Sequence, residues 1–124
     1  MARIQSWKVQ PGLSVHAYGS DRVGLLTNAF VVETDAGLIA VDALMRVSDA
    51  RGLSALCKDL RKPLLAVIIT HGHPDHYNGV TELVSNNPVP VIATAGVDAV
   101  MRTFDDAKER KWKPVFHSDW PAQR

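Results

Sequence analysis

Apolar residues recur along the chain at two alternating spacings, which predicts a mixture of strands and helices. Short alternating or continuous apolar runs predict strands over residues 13–18, 26–33, 38–42, 64–70 and 89–94. Apolar residues three and four apart predict helices over residues 48–60, 75–85 and 97–108. No linker or internal repeat interrupts the series, so we expect one domain over residues 1–124, with a mixed sheet and three helices (α/β or α+β).

Turn and cap residues mark several predicted element ends. The tetrapeptide at residues 34–37 predicts an antiparallel hairpin between strands 26–33 and 38–42. Ser48 occupies the N-cap position of the first helix, and Cys57 falls on its apolar face, where it would fill the core. Strand 64–70 is apolar almost throughout and follows a helix, which favours parallel pairing and burial on both faces. After Trp112 the periodicity is lost, and no further element is predicted.

Composition narrows the partners and the compartment. With 14 Lys and Arg against 13 Asp and Glu, the net charge is +1, so we expect neither a nucleic acid nor a membrane surface as partner. Cys57 is the only cysteine and cannot form an internal disulfide, and residues 1–10 lack the apolar stretch of a signal peptide. These features favour a reducing compartment, and we expect the cytoplasm.

Three of the five histidines fall in the hexapeptide at residues 71–76, directly after the apolar strand. His71 and His73 are two residues apart in extended chain, so both rings leave the same side, and Pro74 holds His73 in the extended region. This pair of imidazoles can share one metal ion. The alternative is a solvated polar loop, but such loops seldom place three histidines and an aspartate at ligand spacing.

Asp75 and His76 form a second candidate pair of ligands. Pro74 is suited to open the next helix, which would put both residues near its positive end. A carboxylate is stabilised there, and an imidazole is discouraged from protonating, as a metal ligand must be. Gly72 and Gly79 would allow the backbone to come close to the ions.

The segment His71-Gly72-His73-Pro74-Asp75-His76 resembles the HxHxDH signature of the metallo-β-lactamase superfamily. The resemblance implies a zinc-dependent hydrolase with His71 and His73 on one ion, and with Asp75 and His76 on a second. Asp75 is then the candidate catalytic carboxylate. Asp42 matches the family's earlier aspartate and would brace the loop through hydrogen bonds. From the residues alone, Asp42 is more often a cap or turn residue at a strand end.

The family fold is an αββα sandwich of two similar halves, and this chain resembles the N-terminal half only. The later metal ligands of the family have no counterpart here, because His117 lacks the expected context and is expected on the surface. His16, in a strand, is expected to be structural. Two ligands for each ion imply weak binding, and iron or manganese would accept the same donors as zinc.

The resemblance implies hydrolysis of an ester, thioester or lactam-type bond in a small-molecule substrate, provided that the site is completed. Completion would come from a second copy of the chain in a homodimer or from a missing C-terminal half. A two-fold pairing would also cover the sheet face that three helices leave open. The alternative function is a noncatalytic metal-binding or self-assembling module. Nucleic-acid processing is disfavoured by the charge balance.

Overall fold

Six strands form one mixed sheet in the order in which they occur along the chain, in a computed structural model that describes residues 2–122. The strands are β1 Arg3–Gln10, β2 Leu13–Gly19, β3 Asn28–Thr34, β4 Leu38–Val41, β5 Leu64–Ile68 and β6 Val91–Ile92. Strands β1 to β4 are antiparallel, whereas β4, β5 and β6 run parallel to one another. The predicted hairpin joins β3 to β4, with Phe30 opposite Val41.

Helices follow β4, β5 and β6, as the sequence predicts. They are α1 Val47–Asp59, α2 Pro74–Tyr77, α3 Val80–Val84 and α4 Ala95–Phe116, and α4 leads into a 3₁₀ turn at His117–Asp119. The mixed sheet with helices in these positions confirms the predicted α+β class. Within residues 2–122, no helix is long and apolar enough to cross a membrane.

One face of the sheet carries the core. Ala29, Val31 and Val67 are fully buried and pack with α1 residues that include Leu53 and Cys57. Burial raises the pKa of the Cys57 thiol to about 11, which makes it an unreactive core residue as predicted.

The opposite face, which we call the open face, is much more exposed. Phe30, Val41, Ile68 and Ile92 are paired across four neighbouring strands and therefore share this face. Phe30 and Ile68 are each 36% exposed and Ile92 is 51% exposed. The prediction that the helices cover one face and leave the other apolar face uncovered agrees with this arrangement.

Two differences from the predicted elements concern the first strand and the second helix. Strand β1 was not predicted, because its apolar residues Ile4, Trp7 and Val9 do not alternate regularly and none of the strand is buried. The predicted helix 75–85 is divided into α2 and α3. The Gly79 N–H donates to the Leu44 carbonyl at 2.9 Å, and a Cβ on Gly79 would lie 2.3 Å from the Ala43 oxygen.

The first helix begins at Val47, so the prediction of Ser48 as its N-cap is wrong. Arg46 is the N-cap, and its backbone N–H donates to Asp49. Ser48 lies in the first turn, where its N–H and hydroxyl both donate to the Asp119 carboxylate, at 2.7 and 2.6 Å. A distant residue therefore satisfies helix donors that a local cap would normally bind.

The last elements also differ in length from their predictions. Strand β6 covers only Val91–Ile92, because few of the residues predicted for it reach a ladder partner. Helix α4 continues to Phe116, beyond Trp112, although the apolar spacing of the sequence predicts no element after that residue. Its last turns are held by a second apolar cluster, in which Phe116 packs with Met45 and Trp120 and is joined by Trp112.

Candidate metal centre

The candidate site lies at the carboxyl ends of β4 and β5, where the two parallel strands finish side by side. The Asp42 N–H donates to the Ile68 carbonyl at 2.8 Å, which joins the two strand ends. Asp42 has a φ of 68°, in the left-handed region, so the chain turns sharply as it leaves β4. Asp42 is therefore a turn residue, as its place at a strand end predicts. The same turn brings its carboxylate towards the histidine loop.

Asp42 is 4% exposed, and its carboxylate accepts three hydrogen bonds. The Thr70 N–H and hydroxyl donate to Oδ1 and Oδ2 at 2.8 and 2.7 Å, and His76 Nδ1 donates to Oδ2 at 2.7 Å. Burial alone would raise the pKa of Asp42, but the bonds from His76 and Thr70 outweigh it and leave the pKa below its usual value. Asp42 is therefore an ionised, fully bonded brace between the strand end and His76.

The three imidazole rings of the loop converge. The ring centroids of His71 and His73 are 4.2 Å apart, and those of His71 and His76 are 4.9 Å apart. His76 Nε2 lies 3.7 Å from Asp75 Oδ2. The structure thus brings the four sequence-predicted ligands into one cluster, as two neighbouring pairs.

The pKa values of His73 and His76 are shifted in opposite directions. Burial and the neighbouring His71 lower the pKa of His73, and the positive charge of Lys108 adds to the effect. The hydrogen bond to Asp42 raises the pKa of His76 above its usual value. The expectation that the helix end would discourage protonation of His76 is therefore wrong, because the direct bond to a carboxylate outweighs a short helix terminus.

The four side chains suit a metal ion in the type of their donor atoms and in their closeness to one another. Imidazole nitrogens and a carboxylate are the donors that zinc accepts in proteins. In the part of the chain that the structure describes, however, no group of three or more His, Cys, Asp or Glu side chains is arranged to hold an ion together. The fit to zinc therefore rests on the type of the donor atoms and on the closeness of the side chains.

Two threonines at the site were not anticipated from the sequence. The Thr27 hydroxyl donates to Asp75 Oδ2 at 2.6 Å, and Thr70 binds Asp42 as described above. Thr70 could have been suspected, since it directly precedes His71 at the end of the strand. Thr27 lies 48 positions from Asp75, and no local pattern points to it.

Gly72 and Gly79, which are predicted to lie close to the ions, instead make room for other parts of the chain. Gly79 admits the Ala43 carbonyl, and the buried Asn78 side chain donates to the Met45 carbonyl at 3.0 Å. A Cβ on Gly72 would lie 2.5 Å from the Val100 side chain in α4. The loop is thus fixed by the turn after β4 on one side and by α4 on another.

The remaining two histidines lie outside this cluster. His16 is buried, with Nδ1 2.7 Å from Ser6 Oγ and Nε2 2.8 Å from Glu33 Oε1, which agrees with a structural residue. His117 is exposed at the end of α4, as expected for a surface histidine.

The sequence comparison defines the class of protein. The family model of the metallo-beta-lactamase superfamily matches residues 22–122, so this chain belongs to that superfamily. Over 60 residues the chain is 40% identical to a linear primary-alkylsulfatase from a Pseudomonas species. That match covers 48% of this chain and 11% of the sulfatase, so the chain spans only a small part of this relative.

Solved structures agree on the fold. A metallo-beta-lactamase from Pontibacter korlensis superposes with a TM-score of 0.63 at 20% identity, over 83% of this chain and 49% of the lactamase. The metallo-beta-lactamase FIM-1 from Pseudomonas aeruginosa, in a mono-zinc form, gives 0.61 at 20% identity, over 81% of this chain and 46% of FIM-1. The chain therefore spans about half the length of these lactamases.

Proposed function

We propose that this chain is the metal-binding half of a hydrolase that cleaves an ester, thioester or lactam-type bond in a small-molecule substrate. The metal is zinc, one or two ions weakly held, and iron and manganese are alternatives that the same donors accept. The observation that carries the proposal is the convergence of three imidazole rings beside the buried, ionised Asp42. Membership of the superfamily supports the hydrolase class.

The residues have separate roles in this proposal. His71 and His73 would hold one ion, and Asp75 and His76 the second. Because Asp42 holds Nδ1 of His76, Nε2 is the nitrogen that remains for a metal. When bound, zinc would act as a Lewis acid and lower the pKa of a bound water to about 7.

Asp75 is the proposed catalytic carboxylate. The Thr27 hydroxyl holds Oδ2 and so fixes the orientation of the group. In a one-ion site this leaves Oδ1 to accept a proton from the attacking water, whereas in a two-ion site Oδ1 would instead bind the second ion. Asp75 is part-buried, which protects the geometry while keeping the carboxylate accessible.

Zinc titration by calorimetry tests the metal assignment. We expect the wild-type chain to bind zinc weakly. In the His71→Ala plus His73→Ala variant, we expect the site that these two residues form to bind no zinc. His117→Ala is the matched control, because it removes an exposed histidine away from the loop. Unchanged zinc binding in the double variant would overturn the assignment, and parallel titrations with iron and manganese identify the preferred metal.

Hydrolysis assays test the reaction. The substrates are a p-nitrophenyl ester, a thioester, a chromogenic β-lactam and an alkyl sulfate, the last because a relative is an alkylsulfatase. We expect a rate that a chelator abolishes and zinc restores. A rate that is unaffected by the chelator would contradict the proposal.

A noncatalytic metal-binding or self-assembling module is the second candidate. It is favoured by one observation, that residues 2–122 contain no group of three ligand side chains arranged for one ion. A catalytic zinc generally has three protein ligands and one open position. Zinc binding without any chelator-sensitive hydrolysis would support this second function over the first.

We also propose that a second copy of this chain covers the open face. Its apolar side chains extend across four strands, and soluble monomers rarely expose such a patch. The chain accounts for about half of the lactamases it matches, so a copy of equal size is large enough to cover the sheet. A specific pairing should bury more than about 1,000 Å².

Light scattering on a sizing column tests this pairing. We expect a dimer for the wild-type chain and a monomer for Phe30→Lys, which places a charge on the open face. Val23→Lys is the control, because Val23 is an equally apolar, 59% exposed residue in the turn before β3. A stable 13.6 kDa monomer, or an aggregate without defined size, would contradict the proposal.

A further inference from the structure

Helix α4 touches the histidine loop at Gly72. A Cβ added to Gly72 would meet Val100 Cγ1 at 2.5 Å and Val100 Cβ at 2.7 Å. The φ of Gly72 lies outside the left-handed region, so the backbone itself does not require a glycine at this position. Glycine is required because α4 lies directly against the residue between His71 and His73.

The same helix touches the other end of the loop at Tyr77, the residue after His76. The buried Tyr77 hydroxyl donates to Asp105 Oδ1 at 2.5 Å. Val100 and Asp105 are separated by about 7.5 Å along the helix axis, at 1.5 Å per residue. The two contacts therefore bracket the segment that carries three of the four proposed ligands, and the fourth, His71, directly precedes Gly72.

The rest of α4 is weakly buried. Phe116, at its far end, is its one buried residue within residues 2–122, and Val97 and Met101 pack only partly against the main core. In its first half, the helix therefore has two sets of contacts, one with the main core through Val97 and Met101 and one with the loop through Val100 and Asp105.

We propose that α4 positions the metal loop, with Val100 and Asp105 as positioning residues. Val100 fixes the backbone between His71 and His73, whereas Asp105 fixes Tyr77 and through it the neighbouring His76. The proposal rests on the proposed function, since positioning matters only if the loop binds a metal. Neither residue contacts the ion itself.

A clash and its relief test the Val100 contact. Gly72→Ala is expected to lower zinc affinity by about 10-fold, the lower end of what loss of a supporting contact costs a metal site. Val100→Gly alone should also weaken zinc binding, because the loop loses the side chain that supports it. Gly72→Ala combined with Val100→Gly should recover part of the affinity, because the added methyl group occupies the space that Val100 Cβ and Cγ1 leave. Calorimetry with zinc alone gives the affinity, and circular dichroism of the metal-free chain reports the fold.

The outcomes separate this inference from the proposed function. If the wild-type chain binds no zinc at His71 and His73, the proposed function fails and the inference fails with it. If the wild-type chain binds zinc but Gly72→Ala binds equally well, only the inference is overturned. A loss of affinity in Gly72→Ala that Val100→Gly does not relieve would also overturn it.

The Asp105 contact has its own test, with rescue by a conservative variant. Asp105→Ala and Tyr77→Phe should each weaken zinc binding, and the double variant should be no worse than either single change, because both remove one bond. Asp105→Asn should retain affinity, since its amide oxygen still accepts the Tyr77 hydroxyl. Asp98→Asn, at an exposed position on the same helix, is the control. Additive losses, or equal losses in the alanine and asparagine variants, would contradict the assignment.

Discussion

The chain contains two histidine–carboxylate pairs that look alike in distance and differ in chemistry. His16 Nε2 lies 2.8 Å from Glu33, and His76 Nδ1 lies 2.7 Å from Asp42. In the first pair the other ring nitrogen is also bonded, to Ser6. In the second pair the other nitrogen faces Asp75 at 3.7 Å, beside the His71 ring.

The comparison shows that a carboxylate beside a histidine does not by itself indicate a metal site. Both carboxylates orient their imidazoles, but only His76 keeps a nitrogen directed at other potential ligands. His16 has used both nitrogens to connect β1, β2 and β3, which makes it part of the sheet's structure. A candidate metal site is indicated by a ring nitrogen that faces further potential ligands, and not by the histidine–carboxylate pair alone.

The largest expected effect separates the two histidines directly. His76→Ala should remove the ion that we assign to His76 and Asp75, so that zinc stoichiometry falls in a calorimetric titration. His16→Ala should leave stoichiometry and affinity unchanged while lowering thermal stability, because its two part-buried bonds to Ser6 and Glu33 are lost, at about 0.5–1.5 kcal/mol each. Loss of zinc binding in the His16 variant would remove the distinction between the two pairs.

The second prediction exchanges the carboxylates. Asp42→Ala should lower zinc affinity by about 10- to 100-fold, because the partner that orients His76 is lost. Glu33→Gln, the matched change in the other pair, should leave affinity intact. Circular dichroism would establish that the Asp42 variant is folded, and full affinity in that folded variant would reduce Asp42 to a turn residue.

The third prediction uses pH to sharpen the description of the structural pair. Hydrogen bonds from His16 and Lys62 hold the pKa of Glu33 below its usual value. Since the folded pKa is below the unfolded one, this stabilisation is complete above about pH 4.3 and is lost as the pH falls through the folded pKa. In thermal melts, Glu33→Gln should therefore cost about 1 kcal/mol near neutral pH. A difference that persists unchanged at the lowest pH would contradict this account.

The smallest expected effect is at Thr27. Thr27→Val keeps the side-chain shape but removes the hydroxyl that donates to Asp75. Zinc affinity should fall less than in the Asp42 variant, because one bond is lost instead of three. Calorimetry on the Thr27 and Asp42 variants gives the order of their zinc affinities. A lower affinity in the Thr27 variant would mean that the bond from Thr27 to Asp75 matters more than the bonds of Asp42.

The site was readable from the sequence where its residues are contiguous. His71, His73, Asp75 and His76 lie in one hexapeptide, so local spacing and the family resemblance were enough to predict them as a cluster. Thr27 and the α4 contacts come from distant parts of the chain. Their role depends on how the sheet and helix meet, which no local pattern encodes.

The fold was predictable wherever burial of one face of an element gives its apolar residues a regular spacing. Strands β2 to β5 and helix α1 bury one face and were predicted, with ends that shift by a few residues. Strand β1 buries none of its residues and has no such signal. The break between α2 and α3 arises from the Gly79 contact with the turn after β4, which is a tertiary effect.

The turn after β4 has a cost in backbone conformation. Asp42 and the fully buried Leu44 both adopt left-handed backbone, with φ of 68° and 64°, at roughly 1–2 kcal/mol for each non-glycine residue. Glycine at either position would relax the backbone, and asparagine at residue 42 would be tolerated more easily than most side chains. Glycine at residue 42 would, however, also remove the carboxylate that accepts three hydrogen bonds beneath the histidine loop. At this position the cost of the backbone conformation is therefore set against the bonds that hold the strand end and His76 together.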